Sequence, residues 1–240
     1  MDHISTSAEA KGQVYGLSTA RLEALSDGVL AIVITLLVLS FDADEKQIEE
    51  LTRASHGQVF SYLMSLWPHA LGYVLSFFLI GIYWILHHVM FHHIRRASRG
   101  LLWLNMLFLM SVAFLPFPTD LLAECIFHES NVVVALYGVA HLITGLSLAG
   151  VWFYAIHDRR LVDEELDPAL IRTMAISSLL GPVMYTIGAA VSVLSIPASI
   201  VIYALVPVLY VMPGRLDHLW LHLGASDRRP FSFRHPVMQS

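Results

Sequence analysis

Charge is what this chain has least of. Asp, Glu, Lys and Arg make up 14% of its 240 residues and 56% are hydrophobic, whereas a soluble globular domain is about a quarter charged. With a mean hydropathy of +0.65, that balance argues against a soluble fold and for an integral membrane protein. Cysteine is nearly missing as well. The lone Cys125 leaves no internal disulfide and no cysteine-rich metal site. Residues 1–20 are mixed and polar, with no basic stretch followed by a short apolar one, so the first apolar segment reads as a retained span rather than a cleaved signal.

The familiar signatures of chemistry are missing too. There is no phosphate loop, no Gly-x-Ser-x-Gly elbow and no His-Glu-x-x-His zinc motif, and no nucleophile–base pair stands out, so no enzyme is expected. Leu71-Gly72-Tyr73-Val74 is not the Thr-Val-Gly-Tyr-Gly run of a carbonyl-lined filter. The centres of the apolar segments hold no carboxylate, which weighs against a proton-coupled transporter. His141 is the one ionisable group at mid-span and reads as a packed, hydrogen-bonded side chain rather than a proton relay.

What the chain does have is apolar length. A membrane helix needs about 20 apolar residues, and six segments qualify with some latitude: 21–41, 69–91, 101–123, 131–156, 170–195 and 197–213. The last two are parted only by the turn at Ser195-Ile196-Pro197, and Pro182, Pro207 and Pro213 are expected to kink or end their helices. Segment 42–68 is the longest connection, acidic at first (Asp42, Asp44, Glu45, Glu49, Glu50) and then amphipathic. With the N-terminus placed inside, the inner segments carry Lys11, Arg21, Arg95, Arg96, Arg99, Arg159, Arg160, Arg172, Arg215, Arg228, Arg229 and Arg234. The outer ones carry Lys46 and Arg53. Twelve basic residues against two predict an all-α membrane protein of six transmembrane helices with both termini cytoplasmic. Trp67, Tyr83, Trp84, Trp103, Trp152 and Tyr154 are expected near span ends as interfacial aromatics.

The first segment is the most distinctive. Arg21, Glu23 and Asp27 abut a run, Gly28 to Leu39, whose single polar side chain is Thr35. Ionisable groups at the edge of hydrocarbon need partners or water. Ile32, Leu36 and Leu39 share one helical face, Thr35 borders it, and Gly28 lies a turn below; by spacing alone such a face suits lipid or a packed core as well as a pore. Arg21 and Asp27 are nearly two turns apart and do not pair easily within one helix. Candidate partners are Trp84, His87, His88, His92, His93 and Asn105. His88, His92 and His93 also have a spacing that a metal on a helix could use, but no carboxylate or cysteine accompanies them in sequence.

The stretch Arg21-Leu-Glu-Ala-Leu25-Ser26-Asp27 through Leu39 resembles the first helix of the bacterial transmembrane protein 175 family of potassium channels, which carries an Arg-x-x-x-Phe-Ser-Asp signature. Arg21, Ser26 and Asp27 match it, and Leu25 stands where Phe is usual. Ser76-Phe77 with Trp84, His87, His88 and Phe91, then Asn105 and Pro116-Phe117-Pro118-Thr119, look like the family's second and third helices. The resemblance implies a pore lined by the first helix, with Ile32 as its narrowest ring, Leu36 and Leu39 as further layers, and Thr35 as a polar layer tied to potassium preference. Arg21, Ser26, Asp27, Trp84, His87, His88 and Asn105 are implied as the hydrogen-bonded network that holds this helix. Because the signature occurs once, four chains are implied: a homotetramer with a channel domain over 20–214 between cytoplasmic segments 1–19 and 215–240.

The function so implied is a cation channel of the bacterial plasma membrane with modest potassium-over-sodium selectivity. No cofactor and no metal beyond permeant K+ are implied; the partners are other copies, monovalent cations and membrane lipid, with no nucleic acid. A proton or small-solute transporter, or a non-conducting membrane scaffold, are the alternatives.

Overall fold

The protein is described here from a computed structural model covering residues 19–41, 49, 52–125, 130–159, 161–163 and 165–211. Its architecture follows from the apolar runs. Helix α1 spans Thr19–Leu36 and continues as a 3-10 stretch over Leu37–Phe41. A short helix, α2, follows at His56–Ser65, then the long α3 at Trp67–His93. The order continues with α4 (Arg99–Phe114), α5 (Pro116–Cys125), α6 (Asn131–Ile156), α7 (Pro168–Val191) and α8 (Ile196–Val211). Among the described residues there is no strand, only an isolated antiparallel bridge between Ile94 and Val162, beside an Arg95–Asp163 ion pair at 2.9 Å.

Among the described residues, five segments are long and apolar enough to cross a membrane: Thr19–Phe41, Trp67–His93, Arg99–Glu124, Asn131–Ile156 and Pro168–Val191. The sixth apolar helix, Ile196–Val211, has 16 residues. At about 1.5 Å per residue it is roughly 24 Å long, short of a hydrocarbon core of about 30 Å.

The third span is not one uninterrupted hydrogen-bonded helix, although Leu115 at the joint keeps helical dihedrals. It breaks at the buried Leu115, between α4 and α5. Pro116 and Pro118 have no N–H to offer the preceding turn, so the ladder closes early at Leu115 N–H to Val112 O, 3.0 Å, and restarts with Thr119 N–H to Leu115 O. Pro182 and Pro207, by contrast, sit inside α7 and α8 without ending them. Neighbours make that tolerable: Tyr210 Oη accepts from Gly181 N–H at 3.2 Å and donates to Ser177 O.

The core lies where α3, α6, α7 and α8 meet, and it is aromatic. Tyr137, His141, Tyr185 and Tyr203 are fully buried and in mutual ring contact. Helices α6, α7 and α8 approach closely because glycines face the bulky groups. A methyl group added at Gly145 would stand 2.7 Å from Pro182 Cγ, and one at Gly138 or Gly188 would collide with the Tyr203 ring or its hydroxyl. Small residues at helix contacts supply van der Waals packing where lipid removes the hydrophobic drive.

Two of the aromatics expected at span ends are instead core residues. Tyr83 is 6% exposed and Trp152 fully buried, because each polar atom finds a partner inside: Tyr83 Oη donates to His141 O at 3.2 Å, and Trp152 Nε1 to Ile171 O at 3.4 Å. Trp67, Trp84, Trp103 and Tyr154 are exposed.

Candidate functional site: the first helix and its polar foot

Helix α1 divides lengthwise. One side, Leu22, Ser26, Leu30 and Val33, is buried against α3 and α4, and Leu37, at the start of the 3-10 stretch, against α3 and α5. The other carries Arg21, Leu25, Gly28, Ile32, Thr35 and Leu39, all exposed. These six recur at alternating intervals of four and three, the heptad spacing that keeps a seam facing other helices. Ile32 is 59% exposed and Leu39 64%, and a methyl group placed on Gly28 would meet nothing within 4 Å. Leu36 flanks the seam at 41% exposure.

Local winding refines the expected layers. From Leu37 the span turns as a 3-10 helix, in which residues three apart eclipse one another. Leu39 therefore stands over Leu36, rather than between Ile32 and Thr35 as continued α-winding would place it. Thr35 Oγ donates back to Ile32 O at 2.7 Å. The hydroxyl proton is thus held by the backbone, and the oxygen lone pairs remain free to meet a cation.

The foot of α1 is pinned by two separate clusters rather than one network. The inner cluster is fully buried and directional. Ser26 Oγ donates to Leu22 O at 2.9 Å, and Asn105 Nδ2 donates to Ser26 Oγ at 3.0 Å. Asn105 Oδ1 then faces His87 Nε2 at 3.0 Å; an amide oxygen only accepts, so this ring nitrogen carries the proton. The His87 ring is stacked between Phe91 and Phe108. This chain ties α1, α4 and α3 together at one level.

The outer cluster is half-exposed. Trp84 Nε1 donates to Asp27 Oδ1 at 2.9 Å, the Trp84 ring stacks on His88, and His88 Nδ1 lies 3.2 Å from Glu23 Oε1. Of the two adjacent histidines, His87 thus points inward and His88 outward. Glu23 belongs to this cluster although sequence reasoning assigned it no partner. The signal was available: Glu23, Ser26 and Asp27 stand at i, i+3 and i+4, so they share one side of the helix.

Arg21 is brought to neither cluster. Six residues before Asp27, it lies well round the helix, on the exposed seam, and it has no hydrogen bond or ion pair among the described residues of its own chain. Among those residues no three His, Cys, Asp or Glu side chains converge on a common point. His92 and His93 stand ring against ring, while His88 has turned to Glu23.

Apolar spans packed on an aromatic core, with a first helix bonded at its foot and bare along a heptad seam, define a multi-pass membrane protein with its first helix left open to further packing. The comparisons with known proteins extend this. Residues 21–116 match the family described as "Endosomal/lysosomal potassium channel TMEM175". A protein of Streptomyces collinus named a potassium channel is 32% identical over 194 residues, 80% of this chain and 91% of that one. The crystal structure of "a lysosomal potassium-selective channel TMEM175 homolog" from Chamaesiphon minutus superposes with a TM-score of 0.69 at 32% identity, covering 80% of this chain and 95% of that one. A Gallus gallus protein named as the endosomal/lysosomal proton channel TMEM175 is 35% identical over 149 residues, 62% of this chain and 29% of that one. The chain belongs to the TMEM175 family of ion channels.

Proposed function

We propose that the chain is one subunit of a homotetrameric, potassium-permeable cation channel whose first helix lines the pore. The observation that carries this reading is the exposed seam of α1. One helix cannot enclose a path, the signature occurs once per chain, and a heptad-spaced face on the least buried span of the bundle is what four copies around an axis would bring together. Gly28 lets the backbones approach.

In this assembly Ile32 forms the narrowest ring and Leu36 and Leu39 the layers beyond it. A permeating ion sheds part of its water shell at an apolar ring with no carbonyl cage to replace it. Potassium holds that shell less tightly than sodium and passes at lower cost, so selectivity is modest. Thr35, with its proton tied to Ile32 O, adds weak oxygen coordination. Ser26, Asp27, Trp84, His87, His88 and Asn105 hold the pore helix, and Arg21 joins them across the contact between copies. K+ is only transient there, and no resident metal or cofactor takes part.

Ile196–Val211 is read as the sixth span, shallow in the bilayer, which returns the chain to the side where it began. Both termini are then cytoplasmic, as the twelve-to-two division of basic residues supports. Segments 1–19 and 215–240 flank a channel domain over 20–214; apart from Thr19, both segments lie outside the described residues, as do 212–214. The setting is a bacterial plasma membrane, and lipid is the other partner.

The test is flux from liposomes holding purified protein, with potassium, sodium and protons followed separately. Ile32→Asn wets the ring. A barrier lower by about 1.4 kcal/mol raises potassium flux on the order of tenfold, and potassium-over-sodium preference falls. Unchanged flux and selectivity in this variant would sink the pore assignment. A second reading, proton conduction, is favoured by the name of the Gallus gallus relative. It predicts proton flux from the same liposomes that survives without potassium.

A further inference from the structure

The short helix α2 does nothing for the pore described above, yet it presents an unusual surface. At about 100° per residue its side chains fall into three faces. Val59, Tyr62 and Leu66 are half-buried on the side toward α3. Gly57, Gln58, Ser61 and Ser65 form a polar face open to solvent. Phe60, Leu63 and Met64, continued by Trp67 at the first turn of α3, form a largely apolar face beside it, 62%, 54%, 56% and 51% exposed, with the exposed His56 at the first turn of α2 on the same side. No residue of α2 is buried. No Asp, Glu, Lys or Arg occurs within it.

That apolar face does not stop at the end of α2. Trp67 carries it onto α3, where Leu71, Val74 and Phe78 prolong it along the outside of a membrane-spanning helix. Trp67 and Leu71 also border a groove of about 640 Å³ shared with Leu194, Pro197 and Val201, with Asn131 and Ser195 as its polar part. The surface of α2 is therefore continuous with surface that already meets hydrocarbon. A helix with one apolar and one polar face, lying where a span leaves the bilayer, is held at the headgroup–acyl boundary. Trp67 has the amphipathic ring favoured at that depth.

We infer that α2 is an interfacial helix seated on the phospholipid surface, at the end of the bundle opposite Arg95, Arg96 and Arg99. Its neutral polar face looks to water, and its attachment rests on apolar contact rather than on anionic headgroups. This inference requires only that the chain is a multi-pass membrane protein, and it stands apart from the pore reading.

The test is site-directed spin labelling in phosphatidylcholine vesicles. The single native thiol makes Cys125→Ser a one-substitution background. Labels at positions 60, 63 and 64 should collide more with dissolved oxygen than with a water-soluble nickel chelate, and labels at 58, 61 and 65 should show the reverse. A nickel excess at all six positions, meaning the apolar face is in water, overturns the inference. So does loss of both collisions at 60, 63 and 64, meaning a second copy covers it. A photo-crosslinking phenylalanine analogue at position 60, with Cys125 untouched, provides a readout independent of the background variant. It should capture lipid from position 60 and not from position 61. Capture of protein, or of nothing, from position 60 overturns the assignment.

Discussion

Asn105 is the side chain through which the inner cluster reaches α1. It accepts from His87 and donates to Ser26, so it joins three helices through one amide. Asn105→Leu leaves the His87 N–H buried without an acceptor, at a cost of about 1–3 kcal/mol. A lowered midpoint of thermal unfolding in detergent is the expected outcome. Asp27→Ala strands Trp84 Nε1 and is expected to weaken assembly, seen as dissociation in native mass spectra; a stable assembly with normal flux would count against the outer cluster. At this scale the sequence was informative about partners and poor about sides. Ser26, Asp27, Trp84, His87, His88 and Asn105 meet at the foot of α1 through hydrogen bonds or ring contact. Their division into a buried and a half-exposed cluster depends on the packing angle of α3 against α1, which no local pattern encodes. Glu23 was legible from its helix side, which it shares with Ser26 and Asp27, but not its partner His88, which lies 65 positions away.

Among the elements, the long apolar helices were legible and their interruptions less so. Segment 131–156 coincides with α6 because nothing in it competes with helix. The third span broke because Pro116 and Pro118 outweigh its hydropathy, while Pro182 and Pro207, equally visible in the sequence, did not break theirs because Tyr210 and close neighbours support that region. The contacts of α6, α7 and α8 yield a paired prediction. Gly138→Ala drives a methyl into the Tyr203 hydroxyl, and Gly188→Ala drives one into its ring. Each should destabilise by about 1–3 kcal/mol through overpacking. Adding Tyr203→Phe should recover part of the Gly138→Ala loss and little of the Gly188→Ala loss, by unfolding midpoints of the double variants.

For the whole molecule, charge asymmetry and composition sufficed to identify a multi-pass membrane protein, and the family match places it among ion channels. Stoichiometry belongs to this scale because in the proposed assembly each chain supplies a single pore-lining helix. Native mass spectrometry from mild detergent should show a species of four times 26.8 kDa; a stable monomer or dimer that conducts would contradict the proposed assembly. The face proposed to line the pore could not be told from a lipid-facing one by spacing alone. The structure adds that the opposite side of the same helix is already committed, Leu22, Ser26, Leu30 and Val33 to α3 and α4 and Leu37 to α3 and α5.

The change of winding at Leu37 has a mechanical consequence. Phe41, at the end of that stretch, leans on His69 and Tyr73 of α3, so both ends of the five-residue stretch are tethered. Rewound as α-helix, it would shorten by about 2.5 Å and carry Leu39 about 60° around the axis relative to Leu36. Rewinding is therefore opposed at both ends, and the two tethers hold Leu39 over Leu36 while Ile32 keeps its α-helical place below them.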